Sequence, residues 1–214
     1  MIAVSSFKPF GIHEEIDRNQ MFAYEFWKTV FSFIVYFNKP EEQISGANTA
    51  FIASAPFPTI QEMAEFCAQQ SEWCCIVNAD ILVMPQFKAV ERRLIEKEAL
   101  CATSRRYQFD PEKGIGHSCT VVDMGMDIFC AVPELWKDIA KEIPAQFRIG
   151  HCLWDTWTLG FFEVKGRGNH YDFTPSKCIY HPIHGHREPT HHIDSKIRDK
   201  YLANANWPNR KITV

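Results

Sequence analysis

The stretch that decides the fold is WCCIVNADILV, residues 73–83. It is almost continuously apolar and is interrupted only by Asn78 and Asp80. A run of this kind is typical of a strand inside a parallel sheet that is covered on both faces. A carboxylate in such a run is costly to bury unless a partner compensates its charge. A hard divalent cation that bridges a diphosphate is one suitable partner. The structural alternatives are an arginine partner or a role in capping a loop.

On both sides of this stretch, strand patterns alternate with helical patterns. The first 104 residues predict strands over 2–6, 32–37, 49–54 and 100–103, and helices over 14–31, 59–67 and 85–97, with Thr59 as the cap of the second helix. The rest predicts a strand over 126–132, helices from 133 and over 153–163, and irregular structure from 165. This order predicts an α/β fold, a mostly parallel sheet flanked by helices with an irregular C-terminal part. We expect one domain over 1–214.

The composition indicates a globular protein with reduced thiols. The chain has 214 residues, 46% of them hydrophobic, and eight cysteines that mostly lie in apolar segments. Buried free cysteine behaves as a small hydrophobic residue, and disulfide scaffolds belong to short secreted chains. No apolar run is long enough to predict a membrane span, and the first residues lack the pattern of a secretory signal. A cytoplasmic location is therefore expected.

Charge is distributed unevenly along the chain. Residues 1–164 carry 14 basic and 22 acidic side chains, whereas residues 165–214 carry 9 basic and 4 acidic ones together with six of the nine histidines. This asymmetry indicates that the C-terminal segment faces an anion, with a solvated basic tail as the alternative.

The turn Asn78-Ala79-Asp80, read with the order of the elements, resembles the acidic D-x-D motif of small GT-A-fold nucleotide-sugar glycosyltransferases. The resemblance covers about residues 1–190. It implies a Rossmann-like nucleotide-binding half over about 1–104 and an acceptor and metal-closing half over about 105–214. The first acid of the motif is an amide here, so the resemblance leaves Asp80 as the main metal-side residue.

The same resemblance places the nucleotide at the ends of the first two strands. Ser5 and Ser6 would offer hydroxyls there, Phe7 a stacking face and Asn38 a matching polar group. The Arg105-Arg106 pair follows the next strand and could supply a diphosphate contact or a salt-bridge partner. The cofactor-binding candidates are therefore Ser5, Ser6, Phe7, Asn38, Asn78, Arg105 and, near the C-terminus, Arg187.

Three histidines lie close together at 181, 184 and 186. Imidazole is a common ligand of transition metals, and in GT-A enzymes a late histidine often completes the coordination of the nucleotide-bound metal. We select His184 and His186, with Asp80, as the metal ligands, because Gly185 lets the backbone approach a phosphate. Two alternatives are a solvent-exposed loop and a structural zinc site that uses Cys178.

Two further carboxylates are candidates for catalysis. Asp155 lies between two tryptophans at the start of a predicted helix, a place where inverting GT-A enzymes carry their general base. The alternative is an acid favoured there by the helix dipole. Asp127, in the strand before, could replace it or bind sugar hydroxyls.

The predicted function is transfer of a sugar from a nucleoside diphosphate, expected to be UDP, to an acceptor hydroxyl with Mn²⁺ or Mg²⁺. Acceptor candidates are a glycan, a small molecule or a hydroxymethylated base of modified DNA. Two alternatives come from other classes: a nucleotidyltransferase, which should have a glycine-rich loop after the first strand, and a non-catalytic nucleotide-sugar-binding module.

Overall fold

The computed structural model describes residues 1–55, 57–115, 119–150, 154–166 and 168–183. Within these ranges the strands are β1 Ile2–Ser5, β2 Phe33–Asn38, β3 Thr49–Ala53, β4 Cys74–Val77, β5 Leu82–Val83, β6 Cys101–Phe109, β7 Thr120–Ala131, β8 His170–Asp172 and β9 Ile179–Pro182. The helices are α1 Glu14–Val30, α2 Ile60–Cys67, α3 Phe87–Glu96, α4 Pro133–Glu142 and α5 Trp154–Gly166, with short 3₁₀ helices at Pro40–Glu42 and Thr174–Ser176.

The nine strands form one sheet. Eight of them follow the order β3-β2-β1-β4-β7-β6-β9-β5, and the ninth, β8, lies off this path and pairs with β6. β1 pairs in parallel with β2 on one side and with β4 on the other, and β2 pairs in parallel with β3. The chain therefore moves outward from β1 to β3 and then returns to the other side of β1. The carboxyl ends of β1 and β4 mark this change of direction, which is where ligands bind in sheets of this type.

Two antiparallel strands extend the sheet beyond β4. β7 pairs with β4 so that Val77 lies opposite Ile128, and β6 pairs with β7. β9 then runs parallel to β6 and antiparallel to β5, with Tyr180 opposite Leu82. The stretch that opened the sequence analysis is thus not one strand: it is β4, a turn at 78–80, and β5.

Both faces of the sheet are buried, as the apolar strands predict. Alternate residues of one strand enter different cores: Ala3 packs with Trp27 of α1, whereas Ile2 and Val4 pack with Met63 of α2. The first core also includes α3, and the second includes α4 and α5. The α/β fold predicted from the sequence, a mostly parallel sheet between helices, is confirmed.

The cysteines within the described ranges are free, and all but Cys119 are buried. Cys74 and Cys75 belong to opposite cores, as their adjacent positions in a strand require. Burial raises the pKa of the Cys101 and Cys178 thiols to about 12. Among the helices of the described ranges, none has the length and apolar character needed to cross a membrane.

Candidate active site

The turn after β4 carries the carboxylate that the sequence selects. Asp80 is 16% exposed, and its Oδ2 lies 3.3 Å from Nε2 of His181, which is 13% exposed. The partner comes from β9, because the pairing of β9 with β5 brings the end of β9 back to this turn. An acid and an imidazole from distant parts of the chain therefore meet at the carboxyl end of the central strand.

Asn78, two residues before Asp80, is paired with Asp127 of β7. The backbone N–H of Asn78 donates to the carbonyl of Asp127 at 2.9 Å, and its side-chain Nδ2 donates to Asp127 Oδ1 at 2.7 Å. Asp127 is 5% exposed, and its other oxygen accepts from Arg106 Nη1 at 2.5 Å. A buried carboxylate of this kind requires such partners, since an unpaired one would cost several kcal/mol.

A β-bulge explains why Asp127 points to this place. Ser104 of β6 pairs with Ile128 of β7, but Arg105 pairs with Met126, so Asp127 is an extra residue in the ladder. Bulges re-aim side chains and are frequent beside active sites. The irregular register therefore turns Asp127 toward Asn78 and Arg106.

Asp155 lies in the first turn of α5, and its Oδ1 accepts from the backbone N–H of Thr156 at 2.8 Å. Burial raises the pKa of the Asp155 carboxyl, and the negative charge of Asp127 raises it further, while the Thr156 hydrogen bond opposes both effects. A carboxyl with a raised pKa accepts a proton more readily near neutral pH.

The polar groups at the ends of β1 and β2 mostly bind each other. Ser5 Oγ donates to the carbonyl of Val77 at 2.6 Å and so links β1 to β4. The Asn38 amide accepts from the Phe7 N–H at 2.9 Å and from Ser6 Oγ at 3.5 Å, and it donates to the Phe7 carbonyl at 3.0 Å. Ser5 and Asn38 thus hold the start of the loop after β1 in place.

Phe7 differs most from its predicted role. Its side chain is 3% exposed, and its ring packs against four aromatic rings of the first core, those of Phe10, Tyr24, Trp27 and Tyr36. The burial gives the ring a structural role, because its faces are already in contact with these neighbours. The backbone of Phe7, fixed by Asn38, remains at the site.

A shallow surface depression lies beside these strand ends, and it encloses no space large enough for a water molecule. It is lined by Ser6, Phe7, Pro9, Asn38, Lys39, Glu42, Ala55 and Phe57. Its far wall is the segment after β3, where Phe57 has a left-handed backbone (φ 56°) and its carbonyl accepts from Arg148 Nη1 at 2.7 Å. Sequence reasoning missed Lys39, Glu42 and Phe57; the prolines on both sides of Phe57 were the available signal.

The remaining predicted residues lie farther out or outside the described ranges. Arg105 is exposed, and its backbone N–H donates to Thr174 Oγ1 at 2.9 Å. His184, His186 and Arg187 lie outside the described residues. Cys178, the zinc alternative, is 1% exposed and packs in the first core. Within the described ranges, no three His, Cys, Asp or Glu side chains form a group that could hold a metal ion.

No family model matches the sequence, and no curated protein matches it either. Solved structures do resemble the fold. A protein assigned as a glucose-1-phosphate thymidylyltransferase from Bacillus anthracis, in complex with sucrose, superposes with a TM-score of 0.52 and 11% identity over 98% of this chain and 97% of its own. A 4-diphosphocytidyl-2C-methyl-D-erythritol synthase from Anaerococcus prevotii gives a TM-score of 0.50 and 12% identity over 94% and 95%.

A third solved structure is a glycosyltransferase-type neighbour that holds a nucleotide sugar. S. aureus TarS, residues 1–349, in complex with UDP-GlcNAc gives a TM-score of 0.56 and 9% identity over 87% of this chain and 59% of that one. At these identities the likeness shows the fold, and the chain has the GT-A, Rossmann-like fold that these transferases share.

Proposed function

We propose that this protein is a metal-dependent glycosyltransferase that moves a sugar from a nucleoside diphosphate, expected to be UDP, to an acceptor hydroxyl. The observation that carries the proposal is the Asp80–His181 pair beside the Asn78–Asp127–Arg106 network at the carboxyl end of β4. The fold comparisons support the class, since TarS was solved with UDP-GlcNAc. In this proposal residues 1–104 hold the donor, residues 105–214 hold the acceptor and close the metal site, and the enzyme works in the cytoplasm.

The side chains around Asp80 supply part of a ligand set for Mn²⁺ or Mg²⁺. A carboxylate oxygen is a ligand for either ion, and an imidazole nitrogen favours Mn²⁺. Asp80 and His181 offer two ligand atoms to the metal. The diphosphate of the nucleotide sugar and the segment with His184 and His186 would supply the other ligand atoms. When bound, the ion neutralises the charge that develops on the departing diphosphate. Arg187 would add positive charge at the same place.

Asp155 is proposed as the general base of an inverting transfer. The acceptor oxygen bonds to the anomeric carbon while its proton moves to the Asp155 carboxylate. The bond from the anomeric carbon to the phosphate oxygen breaks, and its electron pair leaves with the diphosphate. Asp127 is then a positioning residue, because Asn78 and Arg106 already occupy its two oxygens.

A nucleotidyltransferase is the second candidate. It is favoured by one observation: the two neighbours that match this chain over nearly their whole length are assigned as enzymes of that kind. Against it, the loop after β1 reads Ser6-Phe7-Lys8-Pro9 and contains no glycine-rich phosphate loop. The acceptor of the glycosyltransferase, whether a glycan, a small molecule or modified DNA, stays open.

A donor screen tests the proposal. Purified protein is incubated with UDP-, GDP- and dTDP-sugars and Mn²⁺, and the release of free nucleoside diphosphate is measured. We expect release from at least one donor, with a loss of about 100-fold or more in Asp80→Asn and Asp155→Asn. Asp138→Asn is the matched control, because Asp138 lies on the surface in a pair with Lys141.

The other outcomes separate the alternatives. Release of pyrophosphate from a nucleoside triphosphate and a sugar 1-phosphate, without diphosphate release from any donor, would support the nucleotidyltransferase. Tight binding of a donor without turnover would indicate a binding module. Failure to bind any nucleotide at any metal concentration would exclude all three.

A further inference from the structure

The candidate metal ligand Asp80 belongs to a β-turn that is closed by its own backbone. The N–H of Ile81 donates to the carbonyl of Asn78 at 3.1 Å, so Ala79 and Asp80 are the two central residues of the turn. Asn78, at the start of the turn, is fixed by its two hydrogen bonds to Asp127. The position of the Asp80 carboxylate therefore depends on what holds the other end of the turn, at Ile81.

A tryptophan from a distant helix holds that end. Trp27 of α1 donates its indole N–H to the carbonyl of Ile81 at 2.8 Å, and both residues are completely buried. A buried carbonyl needs such a partner, because it cannot bond to water there. The indole is itself packed against the rings of Phe7 and Phe31, with centroid distances of 6.3 and 6.4 Å. These neighbours fix the orientation of the indole, so the Ile81 carbonyl is held at a defined place.

The same hydrogen bond also affects the imidazole that meets Asp80. Ile81 leads directly into β5, where Leu82 lies opposite Tyr180 of β9. The next residue of β9 is His181, whose Nε2 lies 3.3 Å from Asp80 Oδ2. Because the turn continues into β5 and β5 pairs with β9, a shift of Ile81 would move the acid and the imidazole relative to each other.

We propose that Trp27 is a positioning residue for the metal site. Its indole N–H fixes the end of the 78–81 turn and thereby sets the spacing of the ligand atoms of Asp80 and His181. Trp27 has no exposed surface, so it acts through the turn and does not itself touch the metal or the substrate. Ligand atoms that are already correctly spaced bind an ion more tightly, because less ordering is required on binding. The inference rests on the proposed function and deepens it by naming a residue outside the site that shapes its ligand set.

The chain contains a matched control for Trp27. Trp136 of α4 is also completely buried, and its indole N–H donates to the carbonyl of Cys74 at 3.1 Å. Cys74 is the first residue of β4, at the opposite end of this strand from the turn. Trp27→Phe and Trp136→Phe therefore remove the same donor and the same volume from the core, and only Trp27→Phe releases the turn.

A titration with Mn²⁺ tests the inference. The electron paramagnetic resonance signal of the free aqua ion is recorded without nucleotide and with UDP, GDP or dTDP, against the same nucleotide without protein. We expect Trp27→Phe to bind Mn²⁺ about tenfold more weakly than the wild type, which is the size of one buried hydrogen bond. Trp136→Phe should bind Mn²⁺ as the wild type does.

A second form of the protein carries 3-benzothienylalanine at position 27. Its ring has the shape of indole with sulfur in place of the N–H, so the core keeps its packing and only the hydrogen bond is lost. This form should show the same loss of Mn²⁺ affinity, and it makes the test independent of how well Trp27→Phe folds.

The other outcomes separate the inference from the proposed function. The inference is overturned if the benzothienylalanine form binds Mn²⁺ as tightly as the wild type, and the proposed function is then unaffected. It is also overturned if Trp27→Phe and Trp136→Phe weaken Mn²⁺ binding equally, because the loss would then come from a general loosening of the core. If the wild type binds no Mn²⁺ under any of these conditions, the metal-dependent function fails together with the inference.

Discussion

At the scale of single residues, the contacts of Asn78 explain why this position carries an amide and not an aspartate. Its Nδ2 donates to the buried Asp127 carboxylate, which already carries the charge balanced by Arg106. An aspartate at 78 would instead bring a second negative charge within hydrogen-bonding distance of Asp127. The amide in the first position of the motif is thus required by the neighbouring strand, which the sequence did not indicate.

Replacing Asn78 by aspartate, which would give the turn both acids of the D-x-D motif, should therefore destabilise the protein. We expect Asn78→Asp to lower the free energy of unfolding at pH 7.5 by about 1–3 kcal/mol, because a buried hydrogen bond becomes a like-charge contact. The loss should shrink near pH 5, since one carboxyl of such a pair takes up a proton and can donate again. Denaturant unfolding at both pH values measures this, with the exposed Asn48→Asp as the control. A variant as stable as the wild type and more active would contradict it.

The raised pKa of Asp155 predicts how activity depends on pH. Only the deprotonated carboxylate can accept the acceptor's proton, so kcat/KM should fall on the acidic side at a higher pH than an ordinary aspartate would give. Asp155→Asn should lower turnover by about 100-fold to 10,000-fold and remove this acidic limb. A profile in which Asp155→Asn keeps the limb would assign it to another group.

The same pKa shift has the opposite consequence for stability. The folded state holds the Asp155 proton more tightly than the unfolded state, so the group's contribution is fully present below the ordinary pKa of 3.8 and is lost as pH rises through the folded value. At neutral pH the charged carboxylate is thus a cost to the fold. Asp155→Asn should melt higher than the wild type at pH 7, and the difference should vanish at about pH 3–4. Scanning calorimetry across this range would show it.

At the scale of elements, most helices and strands follow from local sequence. The sequence predicts α1, α2, β1 and β2 to within two residues, because each has a clear apolar period and a defined end. The Thr59 cap is confirmed as a capping box: its side chain accepts from the Glu62 N–H, and the Glu62 carboxylate accepts from the Thr59 N–H at 2.8 Å.

This capping box gives a direct test of an element's stability. Thr59→Ala should lower the free energy of unfolding by about 1 kcal/mol, because the N–H groups of the first turn lose their partner. For a chain of this size, that corresponds to a fall of about 2–4 °C in Tm. Thr29→Ala is the control: Thr29 is exposed inside α1 and bonds only the Phe26 carbonyl of its own helix. Equal effects at both positions would argue against the cap.

The elements that the sequence did not predict are those formed by distant pairing. β8 and β9 are three and four residues long, too short for a period to show. β9 is a strand only because it fills the gap between β6 and β5. The bulge at Asp127 has the same origin, since the register depends on the partner strand and not on the local residues. His181 reaches Asp80 through this pairing, so that contact could not be derived from spacing alone.

At the scale of the whole molecule, the sequence predicted the order of layers but not the full sheet. The alternation of strands and helices was sufficient for a doubly covered sheet, whereas the addition of β7, β6 and β9 beyond β4 required the three-dimensional structure. The candidate residues at the ends of β1, β2 and β4 lie at one edge of the sheet, because these strands are parallel. The sequence could not show which side chains pair with each other. In the structure Asn38 binds the backbone of Phe7, and the Phe7 ring packs in the first core.

Binding of donor and metal should stabilise the whole fold together. A nucleotide at about 100 times its Kd adds about 2.7 kcal/mol, which raises the Tm of a domain of this size by about 5–10 °C. We expect the full shift with Mn²⁺ and nucleotide together, and a smaller one with either alone. Asp80→Asn should remove the part that depends on Mn²⁺, whereas Asp138→Asn should keep it. An equal shift without metal would mean that Asp80 does not hold one.

Six of the cysteines that the structure describes are buried, so their chemical modification reports when the protein unfolds. Alkylating reagents attack the thiolate, and here burial both hides the sulfur atoms and raises the pKa of thiols such as Cys101 and Cys178. Iodoacetamide should therefore modify Cys119 quickly and the buried six only when the sheet comes apart. When the reagent is concentrated enough that alkylation of the open state is faster than refolding, the slow rate constant of mass increase equals the rate constant of unfolding. The kinetic lifetime of the native state could then be read by mass spectrometry, without denaturant.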